Sequence, residues 1–228
     1  MPQRDKDIYA GAHLRRLQAE ATAVLLPELQ RCAGEHALLV SALPHDHPPV
    51  LPLLGHWVRL RATGDRFRGD LRARADEPLP FADDAFDLVL LRHAIETSPA
   101  PQPFLAEACR VLAPGGTLVL TGVHPLSAWA PWIYWHTRGQ GKPLLRSPMT
   151  LERWVRDSRL DIERVIRVGH MLPNATGAHR GEQPGGGAFV LVARKQRRAA
   201  IPTRLQPKLV RAPVNVNLAP GARRHASS

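Results

Sequence analysis

The chain of 228 residues is long enough for one medium-sized domain, since domains usually contain roughly 100–200 residues. Its 44% hydrophobic and 22% charged residues exclude a wholly disordered chain or a collagen-like repeat, and two cysteines are too few for a disulfide framework. No apolar run approaches the ~18 residues of a membrane-spanning helix, and the first residues lack the apolar core of a signal peptide, so we predict a cytoplasmic protein without a membrane span.

The positive charge lies mostly at the C-terminus. The net charge is +11, and nine arginines and lysines follow the last acidic residue, Glu182, so the rest of the chain is nearly neutral. Residues 196–228 hold seven of these nine charges together with four prolines and few large apolar residues, which predicts a basic tail without a compact fold of its own. Such a tail could contact nucleic acid or an anionic surface by releasing counterions, or it could serve only to keep the protein in solution.

The chain alternates between predicted helices and strands. Residues 9–32 place apolar side chains at helical spacing and predict an amphipathic helix, and further helices are predicted at 104–112 and 149–158. The prolines after Leu43 allow only a short helix before Trp57. Apolar runs predict strands near 37–42, 57–62, 71–75, 86–91, 117–121, 162–168 and 187–194. This order indicates an α/β sandwich with a mostly parallel sheet and an antiparallel strand at its C-terminal edge.

Four short elements follow one another between residues 76 and 122. They are Leu79-Pro-Phe-Ala-Asp-Asp-Ala-Phe-Asp-Leu-Val89, His93-Ala-Ile-Glu96, Phe104-Leu-Ala-Glu-Ala-Cys-Arg-Val-Leu112 and Pro114-Gly-Gly116. In this order and spacing they resemble the middle of the class I SAM-dependent methyltransferases, in the methyltransferase type 11 group. The resemblance implies a Rossmann-like domain over residues 1–195, S-adenosyl-L-methionine (SAM) as the cofactor, and a small-molecule methyl acceptor.

The glycine-rich part of the family's cofactor site is altered in this sequence. Where the family has Gly-x-Gly after the first strand, the chain has Ser41, Ala42 and Leu43, followed by Pro44. Glycine lets the main chain approach the cofactor closely, whereas the Leu43 side chain is expected to project into the cleft and Pro44 offers no N–H donor. The resemblance therefore implies weak SAM binding or an altered binding mode.

Two further cofactor positions come from the same resemblance. The carboxylate that would end the strand at 57–62 is missing, and Asp65 is the nearest acid. Asp76 or Glu77 stands where the family has an acid that accepts a hydrogen bond from the adenine amine. Leu79 and Arg92 complete the predicted set of cofactor-binding residues.

Two histidines are candidate catalytic residues. His93 and His124 each follow a predicted central strand, at the edge where open α/β sheets bind ligands. An imidazole there could act as a general base near neutral pH, and a purely structural role for His93 is the alternative. The pair His45 and His47 has no third ligand at a suitable spacing, so no metal site is predicted.

The segment 129–135 contains three of the five tryptophans. Such aromatic residues favour a substrate pocket, and a hydrophobic cap on the core is the alternative. The sequence therefore predicts a SAM-dependent methyltransferase that acts on an apolar or aromatic small molecule. The alternative function is a non-catalytic binding or scaffold protein with the methyltransferase fold, whose basic tail contacts nucleic acid or an acidic partner.

Overall fold

A computed structural model gives the structure of residues 7–138, 143–175 and 181–197. These residues belong to one unit of the chain, Met1–Arg198. The predicted tail at 196–228 lies outside the described residues, apart from Gln196 and Arg197.

Eight strands form one sheet. They are β1 (Gly34–Ser41), β2 (Leu54–Thr63), β3 (Arg66–Gly69), β4 (Arg72–Arg74), β5 (Phe86–Arg92), β6 (Leu112–Val123), β7 (Leu160–Val168) and β8 (Ala188–Lys195), and their spatial order is β4-β3-β2-β1-β5-β6-β8-β7. The four central strands β2, β1, β5 and β6 are parallel, with Leu39 of β1 paired with Arg59 on one side and Leu90 on the other. Strand β8 is antiparallel to β6, which confirms the predicted α/β sheet with a parallel core and an antiparallel C-terminal strand.

Helices cover both faces of the parallel core. They are α1 (Ala12–Leu29), α2 (Ala94–Thr97), α3 (Pro101–Val111), α4 (Trp129–His136) and α5 (Pro148–Asp157), with a 3₁₀ turn at Ile8–Ala10 before α1. On one face, the buried Leu39 and Leu90 belong to a cluster with Leu17 of α1. On the other face, Leu91 belongs to a cluster with Phe104 of α3. Each large apolar side chain that is fully buried in this way contributes about 1.5–3 kcal/mol to folding.

Two segments differ from the sequence prediction. Strand β3 was not predicted, because Phe67 is its one apolar side chain among arginines. The strand predicted at 71–75 is observed as β4, but it forms an antiparallel hairpin with β3. Residues 42–53 connect the parallel strands β1 and β2 without any helix, and the prolines in this segment disfavour a helix interior.

The Pro114-Gly-Gly116 element lies within β6. Helix α3 ends at Val111, directly before β6 begins. The register of β6 on β5 shifts here, so that Phe86 pairs with Leu112 whereas Leu88 pairs with Thr117. Gly115 has a φ of +83°, which a side chain would oppose.

Among the described residues, none of the helices is both long and apolar enough to cross a membrane.

Candidate functional site

A cavity of about 640 Å³ opens at the carboxyl ends of β1 and β2. Its lining comes from five places in the chain: the 3₁₀ turn with Asp7–Tyr9, Ala42 after β1, residues 61–65, residues 96–99, and Thr137 with Pro143 and Leu144. Binding sites for small molecules usually measure about 300–1,000 Å³ and lie at this edge of open α/β sheets. Both its volume and its position make this cavity the candidate site.

The charged residues in the lining are mostly acidic. The lining holds the carboxylates of Asp7, Asp65 and Glu96 and the cation Arg61, whose guanidinium lies 2.6 Å from the Asp7 carboxylate. Asp65 lies 3.6 Å from Arg66, and this pair is exposed. The cavity is therefore locally acidic in a chain whose net charge is +11, which suits a cationic ligand.

Glu96 is the most constrained of these carboxylates. It is 4% exposed and accepts hydrogen bonds from the Tyr9 hydroxyl at 3.0 Å and from the main-chain N–H of Val123, and it lies 3.3 Å from Nδ1 of His93. Gly122 makes this approach possible, because a Cβ there would lie 2.8 Å from a Glu96 oxygen. Burial and the neighbouring Glu96 charge raise the pKa of Tyr9 well above its ordinary value, so the phenol stays protonated and donates to Glu96.

His93, the first candidate base, is fully buried and contacts Glu96 without lining the cavity. Its backbone is left-handed, with a φ of +54°, and its ring centroid lies 6.0 Å from that of Tyr9. Nε2 of the imidazole has no hydrogen-bond partner among the residues that the structure describes. In the structure His93 therefore neighbours Glu96 and Tyr9, two residues of the cavity lining.

His124, the second candidate base, organises the turn after β6. Its main-chain N–H donates to the carbonyl of Gly187 at 2.9 Å, and its Nδ1 accepts from the N–H of Leu126 at 3.2 Å. Burial, and secondly the charge of Arg167, lower the pKa of His124, which favours the neutral imidazole. His124 does not line the cavity.

The three residues at the altered glycine motif have separate environments. The Ser41 hydroxyl accepts from the N–H of Leu43 at 3.1 Å and so tightens the turn after β1. Ala42 lines the cavity. Leu43 is 4% exposed and lines a second, smaller cavity of about 200 Å³ together with Leu39 and Asp46.

Arg92 holds the loop between β1 and β2. Its guanidinium is 3% exposed and donates to the Asp46 carboxylate at 2.7 Å and to the carbonyl of His47 at 3.1 Å. Burial lowers the pKa of Arg92, and the charge of Asp46 opposes that shift. This internal ion pair joins the segment 42–53 to the end of β5.

The residues predicted to bind adenine lie outside the cavity lining. Asp76 is exposed and accepts two hydrogen bonds from Arg74, at 2.8 and 2.7 Å, which lower its pKa. Glu77 lies 3.6 Å from the same guanidinium. Leu79 is buried, and its N–H donates to Glu107 of α3 at 3.0 Å, so this segment attaches the chain to α3.

The aromatic segment of α4 divides between core and surface. Trp129 is 2% exposed and donates from Nε1 to the carbonyl of His170 at 2.9 Å. Trp135 is 63% exposed, and the Arg138 guanidinium lies 4.1 Å from its ring centroid. The first part of the segment is therefore a hydrophobic cap on the core.

Tyr9, Thr63 and Leu144 were not singled out from the sequence. They come from a turn before α1, the end of β2 and the chain beyond residue 142, and no local pattern links them. Asp65 was noted only as the acid nearest to the missing carboxylate, and the structure places it in the wall of the cavity.

Comparison with known proteins identifies relatives for part of the chain. Residues 57–120 match the family described as "Methyltransferase domain". Phthiotriol/phenolphthiotriol dimycocerosates methyltransferase 1 of Mycobacterium ulcerans is 44% identical over 68 residues, which are 30% of this chain and 23% of that protein. The uncharacterised protein YafS of Escherichia coli is 33% identical over 104 residues, or 45% of this chain and 42% of that protein. The chain thus spans less than half the length of these curated relatives.

A solved structure agrees over most of the chain. The SAM-dependent methyltransferase of Thermotoga maritima, a possible histamine N-methyltransferase, has a TM-score of 0.55 at 16% identity and covers 83% of this chain and 92% of its own. At this identity the likeness establishes the fold. The chain therefore has the fold of the class I SAM-dependent methyltransferases, whose cofactor is S-adenosyl-L-methionine.

Proposed function

We propose that the protein is a SAM-dependent methyltransferase that acts on an apolar or aromatic small molecule. The observation that carries this proposal is the acidic cavity at the carboxyl ends of β1 and β2. It lies on the sheet edge where folds of this type bind ligands, and it is large enough for a cofactor and part of an acceptor.

The residues of the cavity fit the chemistry of SAM. The cofactor carries a sulfonium and an ammonium, both cations, and the lining holds three carboxylates. Asp65 and Thr63, at the end of β2, would hold the ribose hydroxyls, and Glu96 and Asp7 would face the cationic groups. Ala42 contributes a single methyl group to the lining after β1. When bound, SAM supplies a methyl group activated by the positive sulfur.

The chain's own residues hold the reactants and exclude water. Glu96 accepts hydrogen bonds from the Tyr9 hydroxyl and from the N–H of Val123, so the lining residues Tyr9 and Glu96 are anchored to the end of β6. The apolar lining residues are suited to an apolar or aromatic acceptor: Ile8, Ala62, Pro99, Pro143 and Leu144.

A non-catalytic protein with the same fold is the second candidate. The buried pair of Asp46 and Arg92 favours it, because that pair stands at the loop where the family has its glycine-rich motif. This candidate predicts that SAM does not bind at all.

Matched carboxylate variants test the proposal by calorimetric titration with SAM. Asp65→Asn removes a carboxylate inside the cavity, and Asp76→Asn removes one outside it. Loss of one charge-assisted hydrogen bond costs about 1.5–3 kcal/mol, so Asp65→Asn should weaken SAM binding roughly ten- to a hundredfold, with Asp76→Asn unchanged. The opposite ranking would place SAM beside Asp76. Absence of SAM binding by the unaltered chain would favour the non-catalytic candidate.

A further inference from the structure

The sheet edge opposite β7 presents six arginines on one face. Strands alternate their side chains between faces, and the residues between these arginines, such as Leu60 and Phe67, are 2% exposed and belong to the core. The arginines are Arg59 and Arg61 on β2, Arg66 and Arg68 on β3, and Arg72 and Arg74 on β4.

The strand register brings these like charges directly opposite one another. Arg68 pairs with Arg61 of β2 on one side and with Arg72 of β4 on the other, and Arg66 pairs with Arg74. Like charges in directly opposed positions destabilise a sheet. A bound anion between the strands would remove this repulsion.

Carboxylates neutralise four of the six arginines. Arg61 pairs with Asp7 at 2.6 Å and Arg59 with Asp70 at 3.5 Å. Arg66 lies 3.6 Å from Asp65, and Arg74 pairs with Asp76 at 2.7 Å and with Glu77 at 3.6 Å. Within the described part of the chain, Arg68 and Arg72 have no such partner, and both are exposed. The anionic ligand is therefore expected at these two guanidinium groups.

Two cavities adjoin Arg68. One of about 490 Å³ is lined by Arg66, Arg68, Arg72 and Arg74, with Glu77 as its one carboxylate. The other is the second, smaller cavity already described, where Arg59, Arg61 and Arg68 face Asp46 and Asp70. The cationic surface thus continues on both sides of Arg68 and is larger than one phosphate group requires.

We infer that the face of the β3–β4 hairpin binds the sugar–phosphate backbone of nucleic acid. Guanidinium groups bind phosphate with two parallel hydrogen bonds, and rows of arginine repeat at about 6.6 Å along a strand and about 4.8 Å between strands, which suits a polymer of phosphates. The apolar Phe67 of the hairpin is buried in the core, so it is not available for insertion into a lipid bilayer. Contacts of this kind carry no sequence information, so binding should be independent of base sequence.

The test compares two variants of equal charge in the full chain. Arg68→Gln with Arg72→Gln alters the hairpin, and Arg15→Gln with Arg153→Gln removes two exposed arginines from α1 and α5. Binding of a labelled 20-base-pair DNA duplex is followed by fluorescence anisotropy between 50 and 200 mM salt. Each lost phosphate contact makes the plot of log K against log salt less steep by about 0.9. Between 50 and 200 mM salt the affinity of both proteins for the duplex falls, and the factor by which it falls should be roughly 12-fold smaller for the hairpin variant than for the unaltered protein.

Three results would overturn the inference. The first is an equal fall in slope for both variants, which would show a general effect of charge. The second is that the unaltered chain binds neither the DNA duplex nor a matching RNA duplex at 50 mM salt. The third is that the hairpin variant binds the duplex as well as the unaltered protein does but no longer binds phosphatidylcholine vesicles that contain phosphatidylserine. That result would assign the surface to a membrane. Circular dichroism of both variants establishes that they fold.

Discussion

Replacing Asp46 by asparagine removes the charge that faces the buried guanidinium of Arg92. The Arg92 side chain is 3% exposed and the Asp46 side chain is 12% exposed, and Nη1 of Arg92 lies 2.7 Å from Oδ1 of Asp46. After the substitution Arg92 keeps the carbonyl of His47 as an acceptor but loses its counter-charge. The substitution therefore tests whether this ion pair holds the loop at 42–53.

The expected loss of stability is large for one substitution. Breaking a buried ion pair by removing one partner typically costs 3–5 kcal/mol, and the retained carbonyl acceptor places this case near 3 kcal/mol, as an order of magnitude. For a domain of 150–250 residues, each kcal/mol changes the melting temperature by about 2–4 °C. Asp46→Asn should therefore lower the melting temperature by roughly 6–12 °C.

Urea denaturation followed by circular dichroism measures this effect. Asp157→Asn, at an exposed aspartate that ends α5, is the matched control and should change the free energy of unfolding by less than about 0.5 kcal/mol. The double variant Asp46→Leu with Arg92→Met removes both charges and should recover most of the loss. An Asp46→Asn protein as stable as the control would refute the reasoning, because Arg92 would then have to be hydrated rather than buried.

Three further predictions concern other parts of the chain. Burial raises the pKa of Cys109 to about 11, so its thiol should resist Ellman's reagent at pH 8 until urea unfolds the protein, and rapid reaction of both cysteines in the native protein would contradict this. Because the pKa of Tyr9 is raised in the folded state, its contribution to stability is present below the unfolded pKa of about 10 and is lost as the pH rises above it. The free energy of unfolding of Tyr9→Phe should therefore fall less between pH 9.5 and 11 than that of the unaltered protein. Identical falls for the two proteins would argue against the contact between Tyr9 and Glu96. Deletion of residues 199–228 should leave the melting temperature nearly unchanged, whereas a loss of several degrees would show that they pack on the domain.

The sequence predicted the parts of the fold that depend on local patterns. The run from Phe86 to Leu91 is apolar throughout because both faces of β5 are covered, and helix α3 shows its buried face at regular spacing. Strand β3 could not be predicted, because it lies near the sheet edge and has one buried apolar residue, a phenylalanine between two arginines, which is too short a pattern to indicate a strand.

The candidate site depends on contacts that no local pattern records. Glu96 meets Tyr9 across 87 positions of sequence and the N–H of Val123 across 27. The pairing of Arg92 with Asp46 exists because residues 42–53 return over the sheet without a helix. Asp76 matched the family's adenine position in sequence, but the hairpin places it with Arg74 on the surface.

A crystal structure of the full chain with SAM would show whether the cavity at the ends of β1 and β2 binds the cofactor. We expect the cofactor in the cavity of about 640 Å³, with its ribose hydroxyls within hydrogen-bond distance of Asp65 and with the pair of Asp46 and Arg92 intact. Cofactor density beside Asp76, or a loop at 42–53 displaced with that ion pair broken, would contradict it.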